Sequence, residues 1–177
     1  MHLTALAQHT IESRCPHASI AVDATVGNGK DALFLAKRAE ELFCFDIQPQ
    51  AIANAKQAMQ DIGSDCQIHW IQASHAYMDA YVHGKIDICM FNLGYLPGGD
   101  QNITTHSAST IKALNIAIKK LHPEGVLSIL CYPGHPAGMI EYETIQKWLA
   151  AHTDKCILKT TQNRSSDPVL YILQQLK

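Results

Sequence analysis

The sequence predicts an α/β fold, a mostly parallel seven-stranded sheet with helices on both faces. Three observations carry this. Short β-branched and aromatic runs alternate with segments of helical periodicity along the chain. A glycine-containing turn, VDATVGNGKD (22–31), joins the first such run to its helix. The run IDICMFNL (86–93) is almost continuously apolar, as a central parallel strand covered on both faces must be.

Taken in order, residues 3–13 have amphipathic spacing and predict a helix. SIAVDAT (19–25) reads as strand one, and KDALFLAKRA (30–39) as the helix after the glycine turn. LFCFDI (42–47) is strand two. A helix over 49–63 follows, opened by Pro49 and stopped by Gly63, the expected punctuation at the two ends of a helix. QIHWIQ (67–72) is strand three, 75–81 a short helix and 86–93 strand four. The polar, glycine-rich loop GYLPGGDQNITTH (94–106) leads into a helix over 107–121. GVLSILCYP (125–133) is strand five, and residues 138–152 form a further helix. CILKTTQN (156–163) and DPVLYILQQL (167–176) read as two final strands, antiparallel to each other.

A length of 177 residues fits one domain spanning 1–177. A hydrophobic fraction of 47% with 17% charged residues can bury both faces of a sheet. No apolar run approaches the roughly 20 residues of a membrane span, and the N-terminal segment lacks the basic and apolar regions of a signal peptide. Six cysteines are scattered singly, without a C-x-x-C pair. That usage fits a reducing cytoplasm and argues against structural zinc; no metal is expected. A net charge of -2, with histidines neutral, excludes a grip on long duplex nucleic acid and leaves room for a local basic patch on a short RNA segment.

Ligands of parallel sheets bind beyond the carboxyl ends of the strands, so the loops after strands one, two, four and five should hold the chemistry. Gly27 and Gly29 adopt backbone angles closed to other residues and bring the main chain close to a ligand. Ala32 stands where the dinucleotide fingerprint has its third glycine, which counts against a nicotinamide or flavin. Asp46 ends strand two, 17 residues after Gly29. A carboxylate there accepts hydrogen bonds from the ribose hydroxyls of an adenosine; capping the Pro49 helix is the alternative. Asp23, ending strand one, suits the charged tail of such a cofactor or else anchors the loop. Ser74 and His75 would lie at the adenine edge, with the start of a short helix as the other reading of His75.

Strand four ends in FNLGYLPGGD (91–100). The amide oxygen of Asn92 can orient an acceptor while Tyr95 packs against a flat base. Pro97, Gly98 and Gly99 also simply make a tight turn, but Asn92 at a buried strand end is costly unless partnered. Asp100 binds substrate or solvates the loop. Tyr132 and His135, after strand five, face the same mouth; a backbone-bonded loop histidine is the alternative for His135. Lys112, Lys119 and Lys120 have the spacing of an exposed helical face, phosphate contact being the other reading. Arg164 is a candidate RNA contact, and Trp70 and Trp148 read as packing residues.

DATVGNGKD, FNLGYLPGGD and the later YPGHPAG (132–138) together resemble the bacterial "Putative rRNA methylase" family over nearly the whole chain. FNLGYLPGGD with a downstream GHP is far more specific than a glycine turn. The resemblance implies a Rossmann-like class I methyltransferase fold with S-adenosyl-L-methionine as cofactor. It further implies a tRNA substrate met at the anticodon region, whose wobble 2-thiouridine carries a 5-aminomethyl group to be converted to 5-methylaminomethyl. The chain departs from the family pattern at Lys30, Ala32 and Ala137.

On this reading a neutral amine displaces the methyl group in line, and the enzyme mainly orients the two. Thr25, Asn28 and Gln48 join the two glycines, Asp23, Asp46, Ser74, His75 and Asn92 around the cofactor. Asn92 and Tyr95 position the acceptor, and Asp31, Tyr132 and His135 are the groups that could take its proton. Leu96, Pro97, Gly98, Asp100 and Arg164 would meet the substrate. A methyltransferase acting on rRNA or a small molecule, a nicotinamide-dependent oxidoreductase and a noncatalytic adenosylmethionine-binding protein are the competing readings. Monomer and homodimer are equally compatible with the sequence.

Overall fold

The computed structural model describes residues 2–96, 98–100, 103–160 and 163–174. Its elements are α1 (Leu3–Arg14), β1 (Ala18–Asp23), α2 (Lys30–Ala36), β2 (Ala39–Asp46), α3 (Pro49–Ala58) and β3 (Gln67–Gln72), then a 3₁₀ helix (His75–Ala80). They continue with β4 (Ile86–Asn92), α4 (Ser107–Lys120), β5 (Leu121–Cys131), α5 (Pro136–Ala150), a short 3₁₀ turn (Thr153–Lys155), β6 (Cys156–Lys159) and β7 (Val169–Gln174). The seven strands form one sheet in the order β3-β2-β1-β4-β5-β7-β6. β1 to β5 are mutually parallel, and β7 runs antiparallel to both β5 and β6.

Strand alternation divides the core into two layers. Ala21 on β1 and Ile88 and Met90 on β4 pack with Ile11, Leu35 and Ile52 from α1, α2 and α3. The intervening Val22, Cys89 and Phe91 pack with Met78, Leu114 and Ile145 from the 3₁₀ helix, α4 and α5. Successive side chains on a strand point to opposite faces, so both faces of the central strands carry apolar residues.

Several element ends differ from the expected ones. α2 stops at Ala36 and β2 begins at Ala39, because the Arg38 carbonyl accepts from Ala18 N and already belongs to the β1 edge. α3 closes at Ala58, well before Gly63, with the Met59 amide folding back on the carbonyls of Ala55 and Lys56. β5 follows α4 directly at Leu121. Its start is irregular, with Glu124 at φ 73 and its carbonyl held by Gln174 Nε2 at 3.0 Å.

Consecutive strands step outward from β1 to β3, then the chain crosses back to place β4 on the other side of β1. This reversal is a topological switch point, and the crevice at the carboxyl ends of β1 and β4 is where such a sheet takes a ligand. Among the described residues no helix is long and apolar enough to cross a membrane. Among the same residues no group of three His, Cys, Asp or Glu side chains is placed to hold a metal ion.

Candidate active site

A cavity of about 810 Å³ opens at the switch point, within the range of small-molecule sites. The loops after β1, β2, β3, β4 and β5 all reach it, and so does the start of α1 through His2 and Thr4.

One half is built on the glycine turn. Gly27 takes φ 50 and lies at the wall, its amide donating to Asp46 Oδ2 at 3.0 Å. Asp46 Oδ1 accepts the Gln48 amide at 2.9 Å, so the carboxylate ties the β1 and β2 loops together. Each carboxylate oxygen keeps a second lone pair for a ligand. Asn28 is fixed by Asn54 of α3, whose Nδ2 donates to its Oδ1 at 2.9 Å. Thr25, Asn28, Gln48, Ser74 and His75 line the cavity as expected. Ser74 Oγ accepts from Ala76 N as the cap of the 3₁₀ helix. His75, 7% exposed, places Nδ1 3.0 Å from the Ala24 carbonyl. Nδ1 must therefore carry the proton, leaving Nε2 an acceptor buried without a protein partner. Burial keeps this imidazole neutral by lowering its pKa.

Two of the residues expected around the cofactor lie off the cavity lining. Asp23 is 0% exposed and does not line the cavity. It lies two residues beyond Ala21, on the face covered by α1 to α3, and its Oδ1 accepts from Thr25 N at 3.1 Å. Gly29 is also off the cavity: an added Cβ would stand 2.9 Å from Ala55 Cα, so its glycine serves the close packing of α2 on α3.

The other half surrounds Asn92. Its backbone amide donates to Thr25 Oγ1 at 2.7 Å, locking β4 to the β1 loop. Its Nδ2 makes a long 3.5 Å bond to Asp31 Oδ2, while Asp31 Oδ1 accepts from Gln8 Nε2 at 3.0 Å. Once Nδ2 points at Asp31, the amide Oδ1 is the acceptor offered to the cavity. Asp31, 6% exposed, has its carboxyl pushed upward, first by burial and against the pull of Gln8, Asn92 and Lys30. Asp23 is pushed well up, by burial first and then by the charge of Asp31.

Tyr95 is exposed at the rim and meets the His135 ring edge-on at 5.7 Å. Its strand-like pairing with Thr104 folds the loop back, and Leu96 is buried in the wall beneath. This loop rests on an unexpected residue, Glu141 of α5, which is 3% exposed. Glu141 accepts from Thr105 Oγ1 and Thr110 Oγ1, each at 2.6 Å, and Thr105 Oγ1 in turn accepts the Gly94 amide at 3.0 Å. Gly98, Asp100 and Arg164 are exposed and lie off the cavity lining. The backbone amide of Arg164 donates to Asp167 Oδ2 at 2.9 Å, and Ser166 of the same loop lines the cavity. Pro97 lies outside the described residues.

The candidate proton acceptors now separate. His135 caps α5: its Nδ1 accepts the Gly138 amide at 3.2 Å. The neutral ring then carries its proton on Nε2, which is buried without a protein partner. In that tautomer the ring nitrogen left without a protein partner is a donor. The Tyr132 phenol is raised by burial and by the Asp31 charge and bonds Thr4, so it stays protonated near neutrality. Asp31 retains acceptor lone pairs and faces the same space. His2, Thr4, Thr104, Thr105, His106 and Ser109 also line it without having been expected; that α1 and the start of α4 dock here is set by packing rather than by a local motif.

This strand order, with a glycine turn and a strand-end carboxylate meeting at one cavity, defines the class I methyltransferase fold. The chain belongs to the "Putative rRNA methylase" family, whose model matches residues 42–175. It is 32% identical over 169 residues to the chloroplastic tRNA (mnm(5)s(2)U34)-methyltransferase of Arabidopsis thaliana. That alignment covers 86% of this chain, which spans 61% of the plant protein's length. A Clostridium thermocellum crystal structure given the same rRNA-methylase name superposes with a TM-score of 0.90 at 31% identity, covering 98% of this chain and 97% of that one. A Streptococcus mutans protein named as a methyltransferase, in complex with S-adenosylhomocysteine, has a TM-score of 0.88 at 26% identity with 99% of each chain covered.

Proposed function

We propose that this chain transfers the methyl group of S-adenosylmethionine to a primary amine, the 5-aminomethyl group of a wobble 2-thiouridine in tRNA. The residues fit the cofactor. Asp46 has acceptor capacity for ribose hydroxyls, Gly27 lets the main chain approach closely, and His75 Nε2 is a buried acceptor without a protein partner that a purine edge would satisfy. The bound cofactor would supply an electrophilic methyl group on a sulfonium. Everything else falls to side chains. Asn92 Oδ1 accepts from the amine and aims its lone pair, Asp31 takes the proton that must leave, and Tyr95 packs against the flat base.

The observation that carries this reading is the Asn92–Asp31 pair, an amide acceptor beside a carboxylate of raised pKa at one end of the cavity. The plant relative's named reaction and the adenosylhomocysteine complex of the Streptococcus mutans relative support it. The test is incubation of the purified protein and labelled adenosylmethionine with tRNA from a strain that leaves the aminomethyl group unmethylated, followed by nucleoside mass spectrometry. One methyl gained on 5-aminomethyl-2-thiouridine, and lost in Asn92→Ala, is the expected result. Tight adenosylhomocysteine binding without methyl transfer to that nucleoside would keep the cofactor and sink the acceptor.

A further inference from the structure

Beside the cavity lies a surface that the reaction itself does not use. Tyr77, on the 3₁₀ helix, is 58% exposed, far more than packing requires of an aromatic ring. The Lys112 ammonium of α4 sits 4.9 Å from its ring centre. Both residues adjoin the site in sequence: His75, two residues before Tyr77, and Ser109, three residues before Lys112, line the cavity. Residues three apart share a helix face, so Lys112 lies on the same side of α4 as the cavity-lining Ser109, and its ammonium reaches the Tyr77 ring. The platform is firmly held, because Tyr77 N donates to the Ser74 carbonyl at 3.0 Å and the neighbouring Met78, Ala113 and Leu114 are fully buried.

Charge on this face is locally positive although the chain is net negative. Asp79 is engaged by Lys120 at 2.9 Å, which leaves Lys112 and Lys119 exposed on the same helix. The Lys112 ammonium lies over one face of the exposed Tyr77 ring, so a nucleobase stacks on that face as Lys112 swings to its phosphate. An acidic peptide would use the lysines but would leave the ring without a partner.

We propose that Tyr77 and Lys112 form a step on which single-stranded RNA lays the nucleotide neighbouring the one that enters the cavity, the base on Tyr77 and its phosphate at Lys112. This deepens the tRNA reading above and rests on it for the identity of the entering nucleotide.

The test is fluorescence anisotropy of the full chain with a labelled stem–loop RNA carrying a seven-nucleotide loop, over a sodium chloride series. A duplex RNA and polyglutamate serve as competitors. Tyr77→Ala should weaken loop binding about five- to tenfold, the lower end of what one base–aromatic stack contributes. Tyr77→Phe keeps the ring and should bind as the parent does. Lys112→Ala should reduce the salt slope by about 0.7, one single-strand phosphate contact. Calorimetric affinity for adenosylhomocysteine should be the same in all variants, which separates this effect from misfolding. Unchanged RNA binding in Tyr77→Ala and Lys112→Ala overturns the proposal. So does a parent protein that binds no loop RNA, or one from which polyglutamate displaces RNA as well as unlabelled loop does. Tyr77-dependent RNA binding without methyl transfer to the aminomethyl nucleoside would uphold this surface and reject the wobble acceptor. Methyl transfer indifferent to Tyr77 and Lys112 would do the reverse.

Discussion

Two aspartates flank the glycine turn, and their surroundings give them different tasks. Asp23 and Asp31 are both pushed toward the protonated form by burial, but Asp31 lines the cavity and Asp23 lies beneath it. If Asp31 takes the acceptor's proton, kcat/KM should rise with pH through a group titrating above the ordinary carboxylate range. Asp31→Asn should abolish that limb and lower kcat by about 10²-fold or more, with adenosylhomocysteine affinity retained. An unaltered pH profile in the variant would assign proton removal to water. Asp23 leaves a mark on stability instead. Its folded-state pKa lies above its unfolded value, so between the two the native state holds the extra proton and stability falls as pH rises. Denaturant midpoints should therefore drop as pH rises from the ordinary carboxylate range through the raised folded-state value of Asp23, and by less in Asp23→Asn. A midpoint equally pH-dependent in that variant would place the titration elsewhere. The motif announced both carboxylates but not which one lines the cavity. Strand alternation held that information, since Asp23 follows Ala21 onto the face that α1 to α3 cover.

At the scale of elements, the two glycines of the turn part company. An alanine Cβ at Gly29 would lie 2.9 Å from the backbone of α3 and force a left-handed φ of 80 on a residue with a side chain. At Gly27 the nearest atom is Leu96 Cδ1 at 3.7 Å, an ordinary contact. Gly29→Ala should therefore cost more than the roughly 1–2 kcal/mol of left-handed strain alone, and Gly27→Ala about that strain. Chemical denaturation of the pair checks the order, and equal losses would refute the helix-packing role of Gly29. The acceptor loop has its own support in Glu141. Glu141→Ala removes the acceptor shared by Thr105 and Thr110 and should cost about 1–3 kcal/mol. It should raise KM for the RNA more than it changes kcat, with adenosylhomocysteine binding intact. Glu141→Gln, which keeps an acceptor oxygen, should recover much of that loss. Nothing local in the sequence marks Glu141, because its partners lie 31 and 36 residues away and meet it where α5 packs on α4. The strands and the Gly27–Asp46 pairing were legible, since short continuous apolar runs and a turn at fixed spacing are local signals.

For the molecule as a whole, the site depends on chain reversal at β1, which brings the loops of β2 and β4 to opposite sides of one crevice. The alternation of elements predicted the layers and the antiparallel pair at the end. It did not predict that α1 would bring His2 and Thr4 over the mouth, because an amphipathic stripe states what a helix buries and not where. A ligand held between such loops should tie them together, and the coupling is measurable. Adenosylhomocysteine at about 100 times its Kd should add about 2.7 kcal/mol to stability, equivalent to a Tm rise of about 5–10 °C for a chain of this size. Asp46 is the carboxylate that joins the β1 and β2 loops, through Gly27 and Gln48. Asp46→Ala should thus lose both the ligand-induced shift and some Tm in the ligand's absence, whereas Tyr77→Ala should keep the whole shift. Thermal melts of the three proteins with and without ligand separate the two surfaces. A full shift in Asp46→Ala would mean that the nucleoside is held without this carboxylate and that the ribose contact assigned to it is wrong. A shift lost in Tyr77→Ala would mean that the exposed ring belongs to the cofactor's half of the site rather than to the RNA's.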